Sequence, residues 1–200
     1  MTERIEQIRR LQWERAHHAA RIVLPADVDR IYRRAELSDV RRTALRLQTA
    51  LEMERPWLFP GELIAFTRTV PALPRIFDGG EWAEITARHA IHELGNVSNL
   101  SPDYGKVIAS GLISIREKLG GGELHRAMAQ SIDAVLTLTR RYAAAAREQG
   151  MDALADVLER VPAQPARTFR EALQSLRILH YAMWCEGDYH NTLGRFDQYM

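Results

Sequence analysis

The last segment of the chain, residues 165–200, predicts a buried helix that ends in a polar turn. Thr168 and Glu171 have the spacing of a capping box, in which the two side chains bond each other's backbone amides. Apolar residues then recur every three or four positions, as one helical face requires: Phe169, Leu173, Leu176, Leu179, Ala182 and Met183. Gln174 is predicted on the opposite, polar face. Gly187 ends the helix, so this segment delivers several polar side chains to one place.

Upstream of that segment, the apolar spacing predicts a mainly helical chain. Helices are predicted over residues 3–20, from about Asp27 to Ala35, from Ser38 to Pro56, from Trp82 to Leu94, from Ser101 to Leu119, from Leu124 to Gly150 and around residues 154–158. Ser38 and Ser101 are the predicted N-caps of their helices. Residues 62–70 differ, because alternating and β-branched side chains predict a strand there. A single strand needs partners that this sequence does not obviously supply.

Three stretches carry a family resemblance, and they occur in the family's order along the chain. The longest covers residues 166–200 and reads ARTFREALQSLRILHYAMWCEGDYHNTLGRFDQYM. Residues 61–66 read GELIAF, and residues 101–112 begin with SPDY and end with GL. Together these stretches resemble glycyl radical enzymes of the pyruvate formate-lyase type, over roughly residues 50–200.

The resemblance implies a mainly α fold, in which a helical N-terminal scaffold carries one or two strands of the family's ten-stranded α/β barrel. Residues 1–200 would then be the N-terminal part of such a domain. The family's catalytic cysteine usually lies in a Gly-Cys-x-Glu loop and its radical glycine in an Arg-Val-x-Gly-Tyr loop, and neither occurs in these 200 residues. Cys185 lies in a different context and is interpreted as a small buried hydrophobic residue. No catalytic residue is therefore predicted in this chain.

The resemblance also assigns candidate substrate contacts to two places. Many relatives have Gly-His-Ser after the long helix, where this chain has Tyr189, His190 and Asn191 with altered spacing. These side chains can hydrogen-bond a ligand, and a histidine can move a proton; a solvated capping turn is the alternative for each. Asn99 stands where many relatives have a histidine, and it lacks acid–base capacity near neutral pH. This departure argues against simply transferring a diol-dehydratase mechanism, and leaves a decarboxylase, another carbon–heteroatom lyase or an uncharacterised subgroup open.

Two other polar groups are interpreted conservatively. Arg195 and Asp197 follow the turn and are assigned structural roles, either as a mutual ion pair or as ties to a barrel strand. His89, His92 and Glu93 invite a zinc interpretation, since both imidazoles would share one helical face. A catalytic zinc helix needs HExxH spacing and a third ligand, so no metal site is predicted.

Composition argues against several classes of function. The 27 basic and 26 acidic residues give a net charge of +1, which offers no reason to expect nucleic acid or anionic membrane as a partner. A helical DNA-binding regulator is therefore disfavoured. No stretch reaches the ~20 apolar residues of a membrane span, and the charged N-terminus lacks the apolar core of a signal peptide. A single cysteine agrees with a reducing compartment, so we expect a cytoplasmic protein.

These observations lead to one function hypothesis and two alternatives. By resemblance, the complete enzyme would be an anaerobic glycyl radical lyase, dehydratase or decarboxylase for a small polar substrate, and this chain would supply scaffold and part of the substrate pocket. The chain itself would bind no cofactor. An activase using S-adenosylmethionine and an iron–sulfur cluster would install the glycyl radical. The other implied partners are the rest of the barrel or a complementing half, and a second copy in a homodimer. The alternatives are one half of a split enzyme and a non-catalytic helical interaction module.

Overall fold

The computed structural model describes residues 2–14, 36–66, 79–88, 100–186 and 191–200. Within these residues the chain is mainly helical, as predicted, with eight α-helices that are numbered here in chain order. They are α1 (Glu3–Trp13), α2 (Asp39–Met53), α3 (Gly79–Ala87), α4 (Tyr104–Glu117), α5 (Glu123–Glu148), α6 (Asp152–Arg160), α7 (Phe169–Glu186) and α8 (Phe196–Tyr199). The helix predicted from Asp27 to Ala35 lies outside the described residues, as do the ends predicted for α1 and α3.

The long helix α5 is the centre of the core. Helix α2 lies along it, and α6 packs against it after a turn at Gly150, whose positive φ of 70° closes α5 as predicted. Helix α7 packs against α2, α5 and α6, and against α4 on another side. The largest buried cluster contains Leu47, Leu51, Val135, Leu138, Tyr142, Leu154, Leu158, Ile178 and Tyr181. Full burial of one such side chain contributes about 1.5–3 kcal/mol, so we expect this cluster to dominate stability.

Helices α2 and α5 run side by side in the same direction. At their N-terminal ends, Ser38 Oγ donates to Glu123 Oε1 at 2.8 Å. Ser38 Oγ also accepts the Arg41 N–H at 3.4 Å, which confirms the predicted N-cap. Near the other end of α2, the Arg141 guanidinium donates to the Leu51 carbonyl at 2.9 Å. The last carbonyls of a helix lack intrahelical partners, and a cation there also offsets the helix dipole.

A buried carboxylate connects α2, α5 and α7. Glu54, directly after α2, accepts hydrogen bonds from the Tyr142 hydroxyl and, at 2.5 Å, from the Tyr181 hydroxyl. All three residues are at most 1% exposed. The Phe66 ring packs on both tyrosine rings, with centroid separations of 4.1 and 5.1 Å. Donors are required here because a buried charge without hydrogen bonds is costly. The sequence pattern does not predict this polar group.

The strand predicted over residues 62–70 is wrong in its first half, and its second half lies outside the described residues. The first half forms turns and bends. The Glu62 N–H donates to the Phe59 carbonyl at 3.0 Å, and the Glu62 carboxylate accepts the Phe59 N–H at 3.0 Å. Ala65 and Phe66 are both buried, which breaks the alternation of a strand, and Phe66 has a positive φ of 67°. Local hydrogen bonds and aromatic packing thus outweigh β propensity here.

Helix α4 begins later than predicted. Its N-cap is Asp103, whose carboxylate accepts the Lys106 N–H at 3.0 Å. The predicted N-cap at Ser101 is therefore wrong. A carboxylate close to the first turn satisfies an orphan amide and also interacts favourably with the positive end of the helix dipole, so Asp103 competes well against the serine.

Helix α4 is also kinked at Gly111, where the sequence predicts an uninterrupted helix. Gly111 has a φ of 74° and a ψ of 155°. The connection after α6 supplies the acceptors that the broken helix lacks: the Leu112 N–H donates to the Pro162 carbonyl at 2.8 Å, and the Ile113 N–H donates to the Ala163 carbonyl at 3.1 Å. A Cβ on residue 111 would lie 2.5 Å from the Ala163 oxygen, so this close approach requires glycine.

At the start of α7, one of the two hydrogen bonds of the predicted capping box is present. The Glu171 N–H donates to Thr168 Oγ1 at 3.2 Å, as predicted. The Glu171 carboxylate, however, accepts the Arg167 N–H at 2.6 Å rather than the threonine amide. The polar placement of Gln174 is wrong, because this side chain is fully buried and its Oε1 accepts the Ala65 N–H at 2.8 Å. Neighbours pack on several sides of α7, so its buried surface is wider than one stripe.

Candidate functional site

Two segments that the sequence predicts at the substrate pocket meet at a parallel backbone pairing. Leu100 and Asn191 form a parallel β-bridge, and the Thr192 N–H donates to the Leu100 carbonyl at 3.0 Å. Asn191 is the last of the three turn residues predicted to contact substrate, and Leu100 directly follows Asn99 in the sequence. The pairing therefore brings together two segments that are distant in the chain.

The side chains next to this backbone pairing are also hydrogen-bonded to each other through their hydroxyl groups. Thr192 Oγ1 and Ser101 Oγ are 3.1 Å apart and hydrogen-bonded, and the two residues are 91 positions apart in the chain. Both residues are exposed. The chain then turns at Gly194, whose φ is 60°, a conformation that glycine adopts at low cost.

Contacts of helix α8 hold the paired segment, residues 191–200, against α4 and α7. The Tyr199 hydroxyl donates to the Leu193 carbonyl, and the Tyr199 ring lies 6.5 Å from the ring of Tyr104 at the start of α4. Gly105 permits this approach, because a Cβ there would lie 3.1 Å from the Tyr199 Cβ. The surrounding apolar cluster contains Tyr104, Ile108, Ala172 and Leu176, with Phe196, Tyr199 and Met200 packed against it. Residues 191–200 are thus anchored by a small core of their own.

Tyr104 is a buried phenol at the edge of this region. Burial, and secondarily the nearby Tyr199, raise the pKa of Tyr104 to about 12, although Arg177 acts in the opposite direction. Its hydroxyl has no hydrogen-bond partner among the described residues. Tyr104 therefore stays protonated in the physiological range and serves as a packing residue here.

The second half of α7 carries a histidine that the sequence interpretation overlooked. His180 Nδ1 lies 3.0 Å from Arg177 Nη1, and its ring is 5.7 Å from the Trp184 ring. Burial, and then the positive charge of Arg177, lower the pKa of His180 from its ordinary value of 6.5. The neutral form of the imidazole is therefore favoured on the helix that leads to the predicted turn. The Arg-x-x-His spacing, which places both side chains on one helical face, is the signal that could have found it.

Of the four residues predicted to contact substrate, one lies at the pairing and three lie outside the described residues. Asn191 is half-buried at the bridge with Leu100. Asn99, Tyr189 and His190 lie outside the described residues, so their roles stay predictions. The run His89, His92 and Glu93 also lies outside them.

Arg195 and Asp197 form an exposed ion pair after the turn. Arg195 Nε lies 3.5 Å from Asp197 Oδ1, and both side chains are largely exposed. Surface pairs of this kind contribute about 0–1 kcal/mol, so the pair orders the segment weakly. The structural roles assigned to these two residues stay predictions.

The sequence matches the family described as Pyruvate formate lyase-like over residues 79–200, more than half of the chain. The chain belongs to this family. The match includes both segments of the Leu100–Asn191 pairing, and the resemblance to glycyl radical enzymes is thereby confirmed. A search of curated proteins found no match.

Two solved structures resemble the fold of this pyruvate formate lyase-like chain. One is the glycerol-bound form of the B12-independent glycerol dehydratase from Clostridium butyricum, with a TM-score of 0.69 and 17% identity over 97% of this chain. The other comes from work on 1,2-propanediol dehydration in Roseburia inulinivorans, with a TM-score of 0.64 and 20% identity over 86% of this chain. The alignments cover 36% and 32% of those proteins, so this chain spans about a third of their length.

The single cysteine of this pyruvate formate lyase-like chain lies in the core. Cys185 is 0% exposed and belongs to the same buried cluster as Tyr181 and Ala182. A substrate in solvent therefore has no access to this sulfur in the described fold. Among the described residues, no three His, Cys, Asp or Glu side chains are grouped to hold a metal ion, and none of the described helices is long and apolar enough to cross a membrane.

Proposed function

We propose that this chain is the helical N-terminal part of a glycyl radical enzyme that acts on a small polar substrate, and that it forms one wall of the substrate pocket. The observation that carries this proposal is the parallel pairing of Leu100 with Asn191. It joins the two segments in which the family resemblance assigns substrate contacts, and it fixes them against α4, α7 and α8. The helices behind the pairing are the scaffold.

The chain's own residues bind and orient the substrate in this proposal. When present in the complete enzyme, the glycyl radical supplies the oxidising equivalent for hydrogen abstraction through a cysteine thiyl. Asn191 carries an amide with N–H donors and an acceptor oxygen that is buried in the described chain, and this group does not change its charge. Asn99 has the same chemistry, while His190 is the one predicted contact that can also accept or release a proton near neutral pH.

Small polyols are the first substrate class to test. The two structures of similar fold are associated with glycerol and 1,2-propanediol. Asn99 in place of a histidine removes an acid–base group, so a reaction that needs less proton transfer at that position is equally worth testing. Hydroxy acids such as lactate and glycerate therefore complete the substrate panel.

The remaining parts of the proposed machinery come from other polypeptide segments. We expect the rest of the barrel, with its cysteine and glycine loops, to follow or to complement residues 1–200, and a radical activase and a second copy to be partners. A cytoplasmic, anaerobic location is part of the same proposal.

The test uses the native product of the gene, purified without oxygen and incubated with its host's activase fraction, S-adenosylmethionine and reductant. We expect the electron paramagnetic resonance doublet of a glycyl radical and consumption of one compound from the panel. Asn191→Ala is expected to keep the radical and to lower kcat/KM about 3- to 10-fold, since one neutral hydrogen bond to the substrate is lost. Absence of a radical in the wild-type protein would favour the non-catalytic interaction module. An unchanged kcat/KM in Asn191→Ala would remove Asn191 from the site.

A further inference from the structure

We propose that Ser101 and Thr192 act as one hydroxyl pair that binds a substrate oxygen and favours hydroxylated substrates. This inference rests on the function proposed above and adds a specificity element to it. Neither residue belongs to the contacts that the sequence predicts. The pair lies directly beside the Leu100–Asn191 pairing, since each hydroxyl residue follows one bridge residue in the chain.

The hydrogen bond between the two side chains leaves the pair with unused capacity. Thr192 Oγ1 and Ser101 Oγ share one hydrogen bond at 3.1 Å. A hydroxyl carries one donor and two acceptor lone pairs, so whichever hydroxyl donates, the pair retains one O–H proton and several lone pairs for a third group. A hydroxyl that accepts one hydrogen bond is also polarised into a somewhat stronger donor. The pair is therefore matched to a ligand group that both donates and accepts.

The backbone holds the pair in position before any ligand arrives. The Thr192 N–H is bonded to the Leu100 carbonyl at 3.0 Å, so the register of the two segments is set next to the hydroxyls. Asp103 fixes the other end of the first segment as the N-cap of α4. Groups that are held in place lose less conformational entropy on binding, which favours a binding role.

A glycine lies beside the serine of the pair. Gly194 adopts a φ of 60°, and a Cβ on it would lie 3.6 Å from Ser101 Oγ. A side chain at residue 194 would thus be strained by the positive φ, and its Cβ would contact the serine hydroxyl. Both hydroxyl residues are exposed in the described chain.

The position of the pair agrees with the predicted contacts in the sequence. Ser101 follows Asn99 by two residues, and Thr192 follows His190 by two residues. The chemistry of two neutral hydroxyls suits an alcohol group of a polyol or hydroxy acid, because such a group also combines one donor with acceptor lone pairs.

The test measures steady-state kinetics of Ser101→Ala, Thr192→Val and the double variant in the activated native enzyme. The probe is the compound that the wild-type protein consumes fastest among glycerol, 1,2-propanediol, lactate and glycerate. We expect KM to rise about 3- to 10-fold in each single variant, which is the effect of one lost neutral hydrogen bond. The double variant should be less impaired than the product of the single effects, because the hydroxyls act together. Ser101→Thr, which keeps the hydroxyl, should stay near the wild-type KM.

Ser110→Ala is the matched control. Its hydroxyl lies on α4 and donates to the Lys106 carbonyl of the same helix at 2.6 Å, so its removal should leave KM unchanged. The glycyl radical signal should be equal in all variants, which separates substrate binding from folding and activation. Wild-type KM values in both single variants would overturn the hydroxyl pair while the proposed function stands. A wild-type enzyme without radical or turnover would overturn the proposed function, and this inference with it.

Discussion

At the residue scale, two buried tyrosine hydroxyls allow the buried carboxylate to be tested by a matched comparison. The Tyr142 hydroxyl donates to Glu54, whereas the Tyr104 hydroxyl has no partner among the described residues. Tyr142→Phe should lower the free energy of unfolding by about 1.5–3 kcal/mol, since it removes a hydrogen bond to a buried charged group. Urea unfolding of the 200-residue chain, followed by circular dichroism, measures the change.

Tyr104→Phe is the control for this prediction. It removes the same atom from an equally buried ring, but no hydrogen bond is lost with it. We expect no loss of stability, and a gain of up to about 1–3 kcal/mol, because a buried hydroxyl without a partner carries an uncompensated desolvation cost. Equal losses in the two variants would contradict the view that Glu54 is stabilised by its tyrosine donors.

His180 leads to a prediction about pH. Its pKa is lower in the folded chain than the ordinary value of 6.5, through burial first and Arg177 second. As the pH falls below that ordinary value, the His180 imidazole is therefore protonated more readily in the unfolded chain than in the folded chain. Protonation of this residue consequently lowers the free energy of unfolding as the pH decreases. The free energy of unfolding of His180→Gln should change less than that of the wild type when both are measured at pH 7.5 and at pH 5.5. Parallel stability curves for the two proteins would show that His180 is not the group responsible.

Single residues were predicted well only where local sequence decides their position. The Ser38 N-cap is confirmed because its bonding partner is three residues away, whereas Ser101 lost that role to a nearby aspartate. Leu124 and Met128 fit the helical period of α5 but are 58% and 41% exposed, since periodicity shows which residues share a face and not whether another element covers that face. The burial of Gln174 depends on a backbone amide 109 residues away, and no local pattern contains that information.

At the element scale, the kink of α4 depends on a single glycine. Gly111→Ala should destabilise the chain by about 3 kcal/mol or more, because it combines a strained positive φ with a clash against the Ala163 carbonyl. Gly121→Ala is the control, since a Cβ there meets nothing within 4 Å. Thermal and urea unfolding of both variants provide the measurement. A small effect at Gly111 would mean that the helix straightens and that the loop after α6 moves away.

Helices were predictable as elements because their signals are local. The periods of α2, α5, α6 and α7, with closing signals such as Gly150, are contained in short windows of sequence. The strand prediction failed because the same alternation also occurs in a loop whose conformation is set by Glu62 and by the packing of Phe66. The break in α4 was missed because its cause, the close approach of the Pro162 and Ala163 carbonyls, comes from another part of the chain.

At the scale of the whole molecule, the family is evident from ordered motifs, while the assembly of the site is not. The sequence resemblance agrees with the family match over residues 79–200, and the fold is similar to those of the B12-independent glycerol dehydratase and of the structure from work on 1,2-propanediol dehydration. The meeting of Leu100 with Asn191, however, is a contact between distant segments, and sequence spacing alone does not predict it. The scaffold explains this contact physically, since α4, α7 and α8 share one apolar cluster beside it.

The most direct test of the central claim, that these residues are the scaffold part of a longer radical enzyme, is the intact mass of the native gene product purified without oxygen from its own host. The chain itself has a mass of 22.9 kDa and spans about a third of the two similar structures. We therefore predict a polypeptide of about three times that mass, or a chain of 22.9 kDa that co-purifies with a complementing polypeptide carrying the cysteine and glycine loops. A product of 22.9 kDa with no such partner would contradict the enzyme account.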